Sequence, residues 1–115
     1  MAPDDDRLDR IFHALSDRTR RSMLERLRSG PLSAGALAEG SSLSQPTVSK
    51  HLKVLEAAGL IRREREGTRI YGVLAVDPLV RAAGYVSQFE QVVDARLERL
   101  AAIVEHPPED QGDPS

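Results

Sequence analysis

The sequence predicts a mainly α fold carrying one β-hairpin, in the order α-α-α-α-β-β-α. Three observations support it. Apolar residues recur with a helical period from Leu8 to Leu55, the period drops to two between Leu60 and Leu74, and the helical period returns from Leu79 to Val104. At 115 residues the chain suits one domain. The expected layout is an acidic, disordered tail over residues 1–7, a folded body over 8–105 and a second acidic tail over 106–115.

The first helix is expected to start near Leu8, because Leu8, Ile11, Phe12 and Leu15 fall at i, i+3, i+4 and i+7. Ser16-Asp17 offers an N-cap for a second helix, Arg18 to Ser29, with Met23, Leu24 and Leu27 inward. Gly30 at C′ and Pro31 beyond it would stop that helix. A short third helix follows Ser33 as N-cap, turns Leu37 and Ala38 inward and ends at Gly40. The fourth is the best delimited. Ser44 caps it, and Pro46 sits in a first turn where a missing N–H costs nothing. Val48, Leu52 and Leu55 form its inward stripe, and Gly59 with Leu60 suggests a Schellman ending. Leu60–Arg65 and Arg69–Leu74 then read as two strands joined by a tight turn at Glu66-Gly67-Thr68. Asp77-Pro78 would open a last helix running to Glu105, bent at Gly84, with Leu79, Ala82, Val86, Phe89, Val93, Leu97, Leu100 and Val104 as its stripe.

Composition narrows the possibilities. There is no Cys, so disulfide scaffolds and thiolate metal centres are excluded. The longest apolar run, Leu100 to Val104, is far too short to span a membrane, and the acidic start does not fit a signal peptide. A cytoplasmic address follows as the expectation. The net charge of −2 conceals a basic body, since residues 7–104 carry 16 basic and 11 acidic groups. Such a body can bind polyanions.

Two features in succession sharpen that reading. A short helix, a tight link and a capped, polar-faced helix make a helix-turn-helix, and an Arg-bearing hairpin directly after it makes a wing. The outward arc of the fourth helix holds Pro46, Ser49, Lys50, Lys53 and Ala57, flanked by Gln45, Thr47 and His51. Gln can bond adenine bidentately, Lys can reach guanine O6 and N7, and Ser or Thr can serve base or phosphate. Arg62, Arg63, Arg65 and Arg69 lie on either side of the Gly67 turn. Taken singly, each feature has a plainer explanation. Any surface helix has a polar face, and charges guard edge strands against aggregation. No nucleophile–base pair and no phosphate-cradling Gly loop is visible, so no catalysis is expected.

The runs Ala14–Arg21, Leu43–Leu55 and Ala58–Ile61 resemble the ArsR family of winged-helix repressors, over roughly Leu8 to Val104. The resemblance implies a homodimer that reads a palindromic double-stranded DNA operator. It implies groove-reading positions at Ser44, Gln45, Thr47, Ser49, Lys50 and His51, and wing positions at Arg63, Arg65 and Arg69. Lys53, on the outward arc, completes the expected DNA-binding set. Arg18 stands where the family often has Pro, and Ala36 where it often has an acidic residue.

The resemblance also implies a dimer interface of first and last helices, here Leu8, Ile11, Phe12 and Leu15 with Val86, Phe89, Val93, Leu97 and Leu100. A 28-residue last helix, Pro78 to Glu105, would be roughly 42 Å long, more than a body with a radius of gyration of about 13 Å can cover. His13 lies off the first stripe and reads as a surface or dimer-contact residue. Family members that sense metals use paired Cys, or Asp and His on the last helix. Asp94, Glu98, Glu105 and His106 are the only candidates here and make a poor zinc set, so no metal and no cofactor is expected. The chain looks closest to the metal-independent, autorepressor-like branch, with no effector named by the residues. Two rivals stay open: a winged-helix module for protein–protein assembly, and a metal-responsive repressor.

Overall fold

The computed structural model describes residues 3–105. The helices are α1 (Pro3–Leu15), α2 (Arg18–Leu27), α3 (Ala34–Glu39), α4 (Gln45–Ala57), α5 (Asp77–Ser87) and α6 (Glu90–Glu105). The strands are β1 (Leu32–Ser33), β2 (Ile61–Glu66) and β3 (Arg69–Leu74), in the antiparallel order β1-β3-β2. The chain divides into two compact units, one ending at Ala83 and one beginning at Gly84. No helix among the described residues is long and apolar enough to cross a membrane.

In the first unit, Ala14, Met23, Leu24, Leu27, Leu37, Val48, Leu52, Leu55, Leu60 and Ile61 form one buried cluster. The expected inward stripes of α2 and α4 are the ones buried there. The caps of α4 set its length. Ser44 accepts the Thr47 amide at 3.3 Å, and at the other end Gly59 takes φ +76. The Gly59 amide then donates to Glu56 O and the Leu60 amide to Leu55 O, both at 2.9 Å, which completes the Schellman pattern. Leu60 is thereby drawn into the core just before β2 begins. β2 and β3 pair from Ile61↔Leu74 to Glu66↔Arg69, leaving Gly67-Thr68 as a two-residue loop. Gly67 has φ +64 and Thr68 does not share the positive sign, the pattern of a type II′ hairpin turn.

Several boundaries differ from expectation, each for a local reason. α1 starts at Pro3, not Leu8, so residues 3–7 of the expected tail are helical. Proline's fixed φ suits a first turn, and the Asp5 and Asp6 carboxylates complement the positive end of the helix dipole. The expected second tail, 106–115, lies outside the described residues. α2 stops at Leu27, and Ser29 and Gly30 close it with three-residue turns onto Arg26 O and Leu27 O. Gly30 has φ +141 but stands one place beyond the expected C′ position. β1 has no periodicity of its own to read; its two residues are strand only because Leu32 and Ser33 pair with Gly72 and Tyr71. Val76, not Asp77, supplies the first carbonyl of α5, accepting from the Val80 amide at 3.0 Å.

The largest departure is the last helix. It is two helices of 11 and 16 residues, parted at Gln88-Phe89, four to five residues beyond the Gly84 where a bend was expected. There the Gln88 and Phe89 amides donate three residues back, to Tyr85 O and Val86 O, and the Ser87 hydroxyl takes Gly84 O at 2.8 Å. Those tighter bonds replace the regular four-residue ladder. Tyr85 and Phe89 meet edge to face across the break, ring centroids 5.6 Å apart. In the second unit no residue of α6 is buried.

One glycine is needed for a packing reason. The Arg26 guanidinium donates to Leu37 O at 2.7 Å and Ala36 O at 3.0 Å, satisfying carbonyls late in α3. A Cβ on Gly40 would lie 2.5 Å from Arg26 Cζ. Gly40 has φ −84, which alanine adopts freely, so a substitution acts through the guanidinium alone. Gly40→Ala is therefore expected to cost about 1–2 kcal/mol in urea unfolding. In an Arg26→Met background the same change should cost close to nothing.

Candidate nucleic-acid interface

The burial of Val48, Leu52 and Leu55 turns the opposite face of α4 outward. Gln45, Lys50 and Lys53 are exposed there, and Thr47, Ser49 and His51 are half-buried. Ser44 is exposed too, but its hydroxyl is occupied: it caps α4 and lies 3.0 Å from Thr47 Oγ1. Ser44 and Thr47 thus serve the shape of the helix start before anything else.

α4 and the wing open onto one cleft of about 440 Å³. Gln45 and Ser49 line it from the helix, Arg63, Thr68, Arg69 and Ile70 from the hairpin, and Ser33 to Gly35 from the start of α3. Four of the expected site residues, Gln45, Ser49, Arg63 and Arg69, are brought together in this way. Lys50, His51, Lys53 and Arg65 are not in the cleft. Arg65 borders a separate hollow with Glu64, Glu66 and Tyr71.

The hairpin arginines are not equivalent. Arg63 Nε lies 3.2 Å from Glu56 Oε2, a bridge from β2 to α4, and Arg62 is paired with Glu64 at 3.1 Å. The side chains of Arg65 and Arg69 form no hydrogen bond or ion pair among the described residues, and neither do those of Lys50 and Lys53. Four cations are thus available to a polyanion, and Arg63 is partly neutralised. Thr68 was read only as a turn residue and Ile70 went unremarked in the sequence, although Ile70, 45% exposed, is an apolar residue left uncovered at the cleft.

Arg20 was also missed, and it is the one buried charged residue among those described, 8% exposed. Its position three and four residues before Met23 and Leu24 puts it on the inward stripe of α2, which is the signal that could have revealed it. Arg20 Nε donates to Ala14 O at 2.8 Å and Nη2 to His13 O at 3.0 Å, closing the end of α1. Its Nη1 reaches His51 Nδ1 on α4 at 3.4 Å. Asp17, the N-cap of α2, accepts the Arg20 amide at 3.0 Å, with the guanidinium 4.0 Å from its other oxygen. That amide bond, helped by the charge of Arg20, holds the Asp17 carboxyl below the usual aspartate range.

The expected dimer residues separate into two groups. Ile11 is 2% exposed, and Leu15 packs against the core cluster, so α1 spends these two on its own unit. Ile11 is therefore corrected from interface to core: it lies on the α1 face that also buries Ala14. Leu8 is half-buried and Phe12 is 38% exposed. Val86, Phe89, Val93, Leu97 and Leu100 are all about half exposed or more, as are Val92 and Ile103. Among the described residues no group of three His, Cys, Asp or Glu is placed to hold a metal ion. His106 lies outside them.

A capped reading helix beside a basic hairpin, on a helical core, defines a winged helix-turn-helix DNA-binding protein. Known proteins agree. A family model described as a helix-turn-helix domain matches residues 15–64. The HTH-type transcriptional regulator Rv2034 of Mycobacterium tuberculosis is 48% identical over 75 residues, 65% of this chain and 68% of that one. The crystal structure of an ArsR family transcriptional regulator, RHA00566, superposes with a TM-score of 0.72 at 30% identity, over 82% of this chain and 97% of that one. A possible ArsR-family regulator from Mycobacterium bovis, solved as a homodimeric winged helix-turn-helix DNA-binding domain, gives a TM-score of 0.60 at 30% identity, over 82% and 84%. The chain belongs to the ArsR family of winged-helix transcriptional regulators.

The Asp17 cap has a pH signature. A carboxyl held below its unfolded value stabilises the fold fully above that value, near pH 3.9, and loses its contribution as pH falls through the folded value. Wild type should therefore unfold at higher urea than Asp17→Ala at neutral pH. The gap should shrink steadily below about pH 4. A gap that is constant down to acid pH would show that the ionised carboxylate is not what caps α2.

Proposed function

We propose that the chain is a homodimeric repressor that occupies a palindromic DNA operator and catalyses nothing. The observation that supports this best is the shared cleft, which gathers Gln45 and Ser49 from the reading helix with Arg69 from the wing. In this reading Gln45, Ser49, Lys50 and His51 face base edges or nearby phosphates in the major groove. Lys53, Arg65 and Arg69 neutralise backbone phosphates, and Ser44 and Thr47 hold the helix N-terminus in shape for its approach. Two-fold pairing would set two reading helices about 34–36 Å apart, one turn of B-DNA.

The support for dimerisation is apolar exposure, not helix length. α6 is about 24 Å long, so the argument from one 42 Å helix no longer applies. Val93, Leu97 and Leu100, on one stripe, are 49%, 57% and 59% exposed, a surface that a second copy would cover. The M. bovis structure is homodimeric, which favours the same state here.

The deciding experiment is selection of bound duplexes from a random pool. The expected result is an enriched sequence with inverted half-sites, held at least a thousandfold more tightly than random duplex. No enrichment would overturn the reading and favour a protein-binding module. In ultracentrifugation at micromolar concentration, wild type should sediment as a dimer and Leu97→Glu as a monomer with much weaker operator binding.

The Arg63–Glu56 bridge generates a separate expectation. Glu56→Gln frees the guanidinium, so affinity for cognate and random duplex should rise alike, with a steeper salt dependence. Arg69→Ala should lower both and make the slope shallower by about 0.9. Arg63→Ala, whose charge is already offset by Glu56, should change the slope less than Arg69→Ala does.

A further inference from the structure

Arg20 lies behind the reading helix, in no position to be counted among the expected DNA contacts, and yet it touches one of them. A guanidinium carries five donors and no acceptor, so in the 3.4 Å contact between Arg20 Nη1 and His51 Nδ1 the imidazole nitrogen must be the acceptor. A neutral ring that accepts at Nδ1 carries its proton on Nε2. The guanidinium has little freedom to do otherwise. It is 8% exposed, and its Nε and Nη2 are held by Ala14 O and His13 O at the end of α1. Asp17 stands 4.0 Å from Nη1 and balances the charge without displacing the ring.

From this geometry we infer that Arg20 is the positioning residue of the DNA-reading surface: it fixes the His51 ring as the Nε2–H tautomer, so that α4 presents a neutral N–H donor to an acceptor on the DNA. The inference rests on the proposed DNA reading. Without Arg20, neutral imidazole could place its proton on either nitrogen, and nothing would hold the Nε2–H form. The arrangement also joins α4 to the end of α1 through one side chain, independently of the apolar core. Because Nδ1 is engaged, Nε2 is the ring's only remaining polar atom, and an oxygen or nitrogen acceptor is the only DNA group it can serve. A phosphate oxygen, guanine N7 or guanine O6 fits that description; a cytosine amino group does not.

The tautomer can be seen directly. In full-length, 15N-labelled protein at a pH where imidazoles are neutral, long-range proton–nitrogen spectra should give His51 a pyridine-like Nδ1 and a pyrrole-like Nε2. Arg20→Gln should bring the two shifts toward each other and weaken cognate binding about tenfold, which corresponds to about 1.4 kcal/mol. In a His51→Ala background Arg20→Gln should cost no further affinity, because the effect runs through the ring. Where Arg20→Gln fails to fold, variants that keep Arg20 serve instead. His51→Gln, whose amide nitrogen can occupy the place of Nε2, should bind cognate duplex better than His51→Asn, whose amide mimics Nδ1. Wild-type protein that binds its selected duplex with His51 in the Nδ1–H form would overturn the inference and leave the DNA reading intact. Additive losses in the double variant, or His51→Asn equalling His51→Gln, would overturn it likewise. A chain that selects no duplex at all would instead overturn the DNA reading, and the positioning role with it.

Discussion

The rest of the structure depends on how α4 is seated. Val48, Leu52 and Leu55 are 1%, 6% and 0% exposed, and no rotation of the helix could keep all three buried. Each side chain is worth roughly 1.5–3 kcal/mol of transfer free energy, so a rotated setting is out of reach for a domain of ordinary stability. That seating decides which residues look outward. Ser44 and Gly59 decide where the helix begins and ends, and the Leu60 amide bonded to Leu55 O delivers the chain straight into β2. Leu60 and Ile61 are 0% and 2% exposed, so the root of the wing is anchored in the same core as the helix. Helix and wing are therefore set relative to each other by apolar burial, and the cleft between them needs no polar scaffolding of its own.

Arginines do the joining that the apolar core leaves undone. Arg20 closes the end of α1 and touches α4, Arg26 closes the end of α3, and Arg21 takes Leu15 O at 2.8 Å. Each satisfies helix carbonyls that have no partner within their own helix. A small domain with four aromatic residues and no disulfide has few other ways to fix short helices end to end. The cost is that the buried Arg20 guanidinium is tolerated only while it is paired, so that position accepts little change. The basic body read from composition thus serves two purposes: some arginines hold the fold, and others are left for a polyanion.

Local chemistry made most of this legible in the sequence. Ser33, Ser44 and Asp17 cap the helices they were expected to cap, and Gly59 ends α4 in the expected motif. The hairpin was readable because alternation and a Gly67 turn are both short-range signals. What escaped depends on pairing across distance. β1 exists only through Gly72 and Tyr71, and the division of the last helix follows from bonds at Tyr85 and Val86 that periodicity does not register. Ile11 looked like interface because it shares a stripe with Phe12, but a stripe does not say which neighbour covers it. Arg63 looked equivalent to Arg69 until Glu56 was placed beside it. Arg20 was legible in principle, because a cation on a buried stripe demands partners.

The central claim is that the outward face of α4 and the adjoining wing are the surface that meets DNA. Its most direct test is a titration of 15N-labelled protein with the selected duplex, followed amide by amide. The account predicts that the largest shifts fall on Gln45 to Lys53 and on Gly67 to Ile70, with the core amides of α2 nearly still. Shifts concentrated on α6 while α4 stays silent would contradict it.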